Sequence, residues 1–394
     1  MPVESVQIAD AVVTAIRAAV EGNPQRLALH QPEFKGNEWN YVKECLDTGW
    51  VSSVGKYVDR FEEQLATVTG SQYAVAVSNG TAALHIALLL AGVEAGDEVL
   101  IPSLTFVATA NAVSYCGAMP HFADIAESTL GLDPEALKSY LRDIAVTRDG
   151  CTYNRMSGRR MRALVPMHTF GHPVDLEPLI EVCERYKLVL VEDAAESIGS
   201  KYKGRHTGTF GKLASLSFNG NKILTTGGGG AILTQDESLA KRAKHLTTTA
   251  KIPHAWQFEH DQIGFNYRMP NLNAALGCAQ LERLPSFLHR KRLLTENYRQ
   301  AIADVPHMKL YTEQAFAESN YWLQTIILNS PNLELRNEIL RRTNENGLMT
   351  RPVWTPMHQM KIYANCPAMP LPVTEQMAQR IINLPSSPIC AGDE

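Results

Sequence analysis

Apolar residues at helical spacing over 5–21 (SVQIADAVVTAIRAAVE) predict a short amphipathic helix. Two further helices are predicted over 37–49 and 57–68, with a loop between Gly49 and Gly55. From residue 73 the pattern changes to short continuous apolar runs with strand character at 73–78, 98–101, 119–124, 162–167, 187–193, 213–218 and 229–234. Helical stretches separate several of them, notably 82–92, one starting near Ala108, and 175–186. Fully apolar strands alternating with helices predict an α/β fold in which a mostly parallel, seven-stranded sheet is covered by helices on both faces. Residues 143–161 are polar and basic and predict a hairpin or loop insertion. Beyond residue 273 the pattern becomes helix (273–282, then 286–304), strand (321–329) and helix (333–346), which predicts a smaller α+β C-terminal domain. The expected division is therefore an N-terminal helical segment 1–34, a large domain 35–272 and a small domain 273–394.

In sheets of this kind ligands collect beyond the carboxyl ends of the strands. The polar punctuation lies at those ends: Asn79–Thr81, Ser103–Phe106, Asp193–Glu196 and Ser217–Lys222. The bulk composition limits what these segments can serve. A net charge of -4 over 394 residues gives no global basic footprint for nucleic acid, so an anionic ligand has to be held by local groups. None of the seven cysteines forms a C-x-x-C pair, which argues against structural zinc and a disulfide framework and suits a reducing cytoplasm. The start of the chain lacks a basic segment followed by a long apolar block, and the most apolar run, Ala82–Val93, is shorter than the about 20 residues that span a bilayer. Neither a metal nor a membrane is expected.

Several residues at the strand ends carry candidate chemistry. Lys222, in SFNGNKILTTGGGG, follows an apolar strand and is flanked by Asn and Gly. Desolvation there would make its amine a nucleophile suited to carbonyl chemistry, though a loop lysine on the surface has the same local sequence. Asp193, in VLVEDAAES, ends a buried strand and needs a cationic or donor partner. A protonated pyridine nitrogen is one such partner; a helix cap or an ion pair is another. Glu192 points to the opposite face if the strand continues. Gly80 and Thr81, at a strand-to-helix junction, offer amides, a hydroxyl and a helix N-terminus to an anion, or form a plain capping turn. Ser217 is a second hydroxyl for the same anion, and Phe106 an aromatic that either stacks on a flat ligand or packs in the core. His168 and His172 flank the strand ending at 167, with a structural role equally open. The glycines at 227–230 lack the G-x-G-x-x-G spacing of a dinucleotide loop.

The order and spacing of GWVSSVGKYVDRFE, SNGTAALHIAL, AGDEVLIPSLTFVATANAV, FGHPVDLEPL, VEDAAESIGS, SFNGNKILTTGGGGAI and GFNYRMPNLNAALGCAQLERL decide what single motifs leave open. From about Lys35 to Leu384 the chain resembles the sugar-nucleotide aminotransferases of the DegT/DnrJ/StrS family, fold-type-I enzymes that use pyridoxal 5'-phosphate. The resemblance implies that Lys222 is the Schiff-base lysine and that Asp193 pairs with the pyridine nitrogen. It implies that Gly80, Thr81, Ser217 and the Ala82 amide hold the phosphate, that Phe106 stacks on the ring, and that Glu196 lies near the phenolic oxygen. Asn266 matches an asparagine that reaches the phosphate from a second subunit, which makes a homodimer with shared active sites part of the expectation. Ser53, Lys56, Arg268 and His358 are the implied substrate-side residues, with Lys56 and Arg268 directed at a diphosphate.

The implied reaction moves an amino group from L-glutamate to a nucleotide-linked keto-sugar. Two departures from the usual pattern, Gly228 in place of a glutamate and Glu196 in place of a Gln or His, resemble the subgroup acting on UDP-4-keto-6-deoxy-N-acetylhexosamine. The alternatives within the fold are a GDP-4-keto-6-deoxymannose or a 3-keto-sugar as acceptor, or a sugar dehydratase, in which a His stands in place of the lysine.

Overall fold

The computed structural model describes residues 3–22 and 24–392. Three helices open the chain: α1 (Val3–Ala19), α2 (Glu38–Thr48) and α3 (Lys56–Thr69). The large α/β layer then runs β1 (Tyr73–Val77), α4 (Gly80–Leu90), β2 (Glu98–Pro102), α5 (Val107–Tyr115), β3 (Met119–Ala123), α6 (Pro134–Ile144), β4 (Ala145–Arg148), β5 (Cys151–Asn154), β6 (Arg160–Leu164), α7 (Leu176–Tyr186) and β7 (Val189–Asp193). It continues through the short strands β8 (Lys201–Tyr202) and β9 (Arg205–His206) to β10 (Leu213–Ser217), β11 (Gly230–Thr234) and α8 (Glu237–Thr247). The last part comprises α9 (Asn271–Ile302), β12 (Met308–Leu310), β13 (Ala317–Glu318), β14 (Gln324–Leu328), α10 (Leu333–Glu345), β15 (Arg351–Pro352), α11 (Pro372–Ala378) and β16 (Ile381–Leu384).

The main sheet has the order β1-β11-β10-β7-β6-β2-β3. β10, β7, β6, β2 and β3 pair in parallel, and β11 runs antiparallel to both of its neighbours. These are the seven strands read from the sequence. The insertion at 143–161 adds an antiparallel hairpin, β4–β5, which pairs with β6 and brings the sheet to nine strands. A buried carboxylate anchors it: Glu98 accepts from Asn154, Ser157 and the His121 ring. Residues of β2, β6, β7 and β10 are almost all buried, as continuous apolar runs require.

Three helices, α6, α8 and the short α11, are not among those the sequence predicts. α6 begins at Asp133, whose carboxylate accepts from the amides of Glu135 and Ala136, with Pro134 in the first turn. α8 is capped in the same way by Asp236. The expected pair of helices at 273–282 and 286–304 is instead one helix, α9, that passes through Pro285. Proline removes one intrahelical hydrogen bond, but the buried residues on either side of it, Leu281, Leu284 and Phe287 among them, hold the helix together. The expected strand 321–329 is shorter, because Tyr321 takes a left-handed conformation (φ 48°) and the strand starts only at Gln324.

The second sheet is antiparallel, in the order β12-β14-β16-β15. α1 packs on it with α9 and α10, through Ile8, Val12 and Ile16 against Leu294, Ile302, Leu335 and Ile339. The N-terminal helix thus shares its core with the C-terminal layer. None of the helices among the described residues is long and apolar enough to cross a membrane.

Candidate active site

The strand ends of the main sheet meet the segment around Trp322 and Trp354 at a cavity of about 310 Å³. Its walls include Asn79, Gly80, Thr81, Phe106, Asp193, Glu196, Ser217 and Lys222. Residues up to 143 apart in sequence are gathered here because parallel strands with right-handed crossovers present all their carboxyl ends on one side.

Asp193 closes β7 and is buried. Its Oδ2 accepts from Thr109 Oγ1 at 2.8 Å and its Oδ1 from the Ala195 amide at 3.2 Å. Burial pushes its carboxyl above the ordinary range, against the pull of those donors and of Lys222. Glu192, one residue earlier, faces the other way as strand alternation requires: it accepts from the amides of Gly208, Phe210 and Gly211 and pairs with His168.

Lys222 lies in the loop after β10, its side chain nearly buried. Its Nζ stands 3.1 Å from Glu196 Oε1 and 3.8 Å from the centroid of the Trp322 ring. Glu196 Oε2 accepts the Phe170 amide at 2.9 Å. Burial raises the Glu196 carboxyl above its usual range, and Lys222 offsets part of that.

The N-terminus of α4 closes the opposite end. Asn79 caps it by accepting the Ala82 amide at 2.8 Å. The amides of Gly80 and Thr81 have no acceptor within the helix, as at any helix start. Gly80 has to be glycine: a Cβ there would stand 2.7 Å from Ser217 Cβ. The contact between Gly80 and Ser217 therefore brings the helix start and the end of β10 side by side. Phe106, half exposed, forms a wall with Trp354, whose ring centroid is 6.1 Å away.

A nearly buried lysine, a buried carboxylate without a cationic contact, a helix N-terminus and an aromatic wall on one cavity form a donor set for a planar aromatic cation bearing an anionic tail. A family model for the DegT/DnrJ/EryC1/StrS aminotransferase family matches residues 32–394. The chain belongs to that family. It is a pyridoxal-phosphate-dependent aminotransferase of fold type I. Among its relatives is the GDP-perosamine synthase of Escherichia coli O157:H7, 38% identical over 93% of this chain and 95% of that protein. Another is the putative pyridoxal phosphate-dependent aminotransferase EpsN of Bacillus subtilis, 36% identical over 86% and 84%. The solved structure of the aminotransferase TlmJ from Streptoalloteichus hindustanus superposes with a TM-score of 0.82 at 31% identity, covering 92% of this chain and 93% of that one.

The remaining residues singled out in the aminotransferase sequence are not among the walls of this cavity. The Ala82 amide is already engaged by Asn79, so Gly80 and Thr81 are the first-turn donors left for an anion. Asn266 is exposed, on the segment that bridges to Thr248. Arg268 lines a separate recess with Thr248, Lys251 and His254, and its Nε is buried without a hydrogen-bond partner. Lys56 pairs with Glu44 at a third recess beside Trp50 and Asn271; Ser53 precedes it, half-buried. His358 is hydrogen-bonded to Ser103 Oγ at 2.7 Å, just beyond β2. His172 packs between Tyr311 and Tyr321.

Among the wall and support residues that the sequence does not single out are Thr109, Met167, Trp322 and Trp354. Thr109 sits on a helix where threonine has no special signal. The two tryptophans come from the C-terminal region, in runs that read simply as strand or loop.

Proposed function

We propose that this aminotransferase moves the amino group of L-glutamate to the keto group of a nucleotide-linked sugar, as a homodimer. The observation that carries the proposal is the placement of Lys222 and Asp193 on one aromatic-walled cavity. Pyridoxal phosphate, when bound, supplies a carbonyl for amine exchange and an electron sink for the carbanion.

The chain's own residues do the rest. Asp193 holds a positive charge at the buried end of the cavity, oriented by Thr109 and the Ala195 amide. Gly80, Thr81 and Ser217 bind the phosphate at the helix N-terminus. Phe106 stacks from the half-exposed side. Lys222 would hold the cofactor through its amine and, when displaced by an incoming amine with its own nitrogen retained, would carry a proton as a general acid–base at the cavity. Glu196 holds or shares a proton with Lys222. Asn266, exposed and outside its own subunit's cavity, is available to a partner's cavity. Arg268, with a buried unpartnered nitrogen, together with Lys56, Ser53 and His358, forms the surroundings of the sugar diphosphate.

A guanosine-linked 4-keto-6-deoxy sugar is the preferred acceptor, ahead of the UDP-linked N-acetylhexosamine that Glu196 and Gly228 suggested. The kinship with GDP-perosamine synthase over nearly the full chain supports this choice. A lysine at position 222 favours amino transfer over dehydration. The test is incubation with glutamate and a panel of GDP-, UDP- and dTDP-linked keto-sugars, read by mass spectrometry. The expected result is amination of the GDP-linked 4-keto-6-deoxy sugar first. Turnover of amino-acid ketones alone would overturn the sugar assignment.

A further inference from the structure

Trp322 is held at every polar atom it has. Its amide donates to Asn320 Oδ1 at 2.8 Å, its indole Nε1 donates to the Asn221 carbonyl at 2.7 Å, and its own carbonyl accepts from the buried Lys291 Nζ at 2.7 Å. Asn320 in turn donates to the carbonyls of Glu196 and Ile198, both at 2.9 Å. The close approach of Asn320 requires glycine at 171, where a Cβ would fall 1.8 Å from Asn320 Oδ1. Between Asn320 and Trp322 the backbone adopts a left-handed conformation at Tyr321 (φ 48°), which a residue with a Cβ takes only at a cost. A strained residue next to one whose hydrogen bonds are all made marks a side chain that is being aimed. It is aimed at Lys222: the ring centroid lies 3.8 Å from Nζ, with Glu196 Oε1 at 3.1 Å from the same nitrogen.

We propose that Trp322 is a positioning residue for the reactive amine: its ring face and the Glu196 carboxylate form a holding site for Lys222 whenever that amine is free. The ring's negative face attracts the ammonium without forming a hydrogen bond, so it keeps the group in place and leaves its protons available. The anchor to the Asn221 carbonyl ties the ring to the lysine's own loop, so ring and amine move together. Lys222 then stays beside the cavity during the part of the cycle in which substrate nitrogen occupies its place, ready to move a proton and to return. This rests on Lys222 being the reactive amine proposed above.

The test uses the purified full chain, treated with glutamate so that Lys222 is free, and a small amine-acylating reagent. Peptide mass spectrometry gives the acylation rate of Lys222 relative to an exposed lysine such as Lys241. Trp322 is replaced site-specifically by mono-, di- and trifluorotryptophan, which keep shape and N–H while draining charge from the ring face. The relative rate should rise stepwise along the series. Trp322→Leu should raise it roughly thirtyfold, the size of a desolvated cation–π contact. A flat fluorine series in protein with unchanged circular dichroism and melting temperature overturns the proposal, whatever the fate of the leucine variant. Failure of the underlying assignment would look different: Lys222 would be acylated at one rate with and without glutamate.

Discussion

Thr109 Oγ1 donates to Asp193 Oδ2 at 2.8 Å, and that hydrogen bond joins the first turn of α5 to the end of β7 at the floor of the active-site cavity. The donors that touch Asp193 are neutral, so they orient the carboxylate without neutralising it. Burial consequently disfavours its charged form, and the more distant Lys222 offsets only part of that. Thr109→Val should weaken cofactor retention by about tenfold or more, since a hydrogen bond to a charged group contributes about 1.5–3 kcal/mol. Dialysis followed by titration with pyridoxal phosphate, read by visible absorbance, checks this. Asp193→Asn should retain the cofactor more weakly still and lose most turnover.

Lys222→Ala should give a protein that folds but lacks the absorbance of a lysine-linked cofactor. Its turnover should fall by about 10²–10⁴-fold or more, the range attributed to a positioned acid–base group. A coloured, active alanine variant would remove position 222 from the mechanism.

Gly80→Ala places a methyl 2.7 Å from Ser217 Cβ, a contact that real side chains do not make. The helix start must shift, at a cost of about 1–3 kcal/mol for overpacking. Phosphate and cofactor affinity should drop together in calorimetric titrations. Adding Ser217→Gly should restore the melting temperature but not the affinity, because the hydroxyl is then gone.

His172 supplies a pH dependence of stability. Both ring nitrogens are buried without hydrogen-bond partners between Tyr311 and Tyr321, and burial lowers the ring's pKa to about 3. The folded ring stays neutral where the unfolded one, at about 6.5, takes up a proton. The unfolded state therefore binds more protons between these values, and stability falls as pH drops below about 6.5. The loss should reach on the order of 3 kcal/mol by pH 4. His172→Phe, which preserves the edge-to-face packing, should flatten that part of the stability curve in urea titrations. An unchanged slope would assign the acid sensitivity to other groups.

Much of the architecture was legible in the sequence, because a buried strand leaves a short apolar run, and the five parallel strands as well as β1 and the antiparallel β11 each left one. The hairpin at 143–161 was legible as an insertion since its polar residues cannot continue a core strand. The reading failed where local pattern and tertiary packing disagree. Pro285 reads as a helix end, but side chains buried on both sides carry α9 past it. Residues 321–323 read as strand, but the Asn320 network bends them out of the sheet.

The sequence by itself determined which chemical groups are present and at which strand ends they stand: Lys222, Asp193, Glu196, Gly80, Thr81, Ser217 and Phe106 all follow apolar runs, and the parallel order sends those ends to one side. Tertiary structure alone decided what surrounds them. Thr109, Trp322 and Trp354 reach the cavity from a helix flank and from the distant C-terminal region, by contacts that have no sequence period. It also decided that the Ala82 amide is engaged by Asn79 at 2.8 Å, because a capping side chain competes with a ligand for the same N–H.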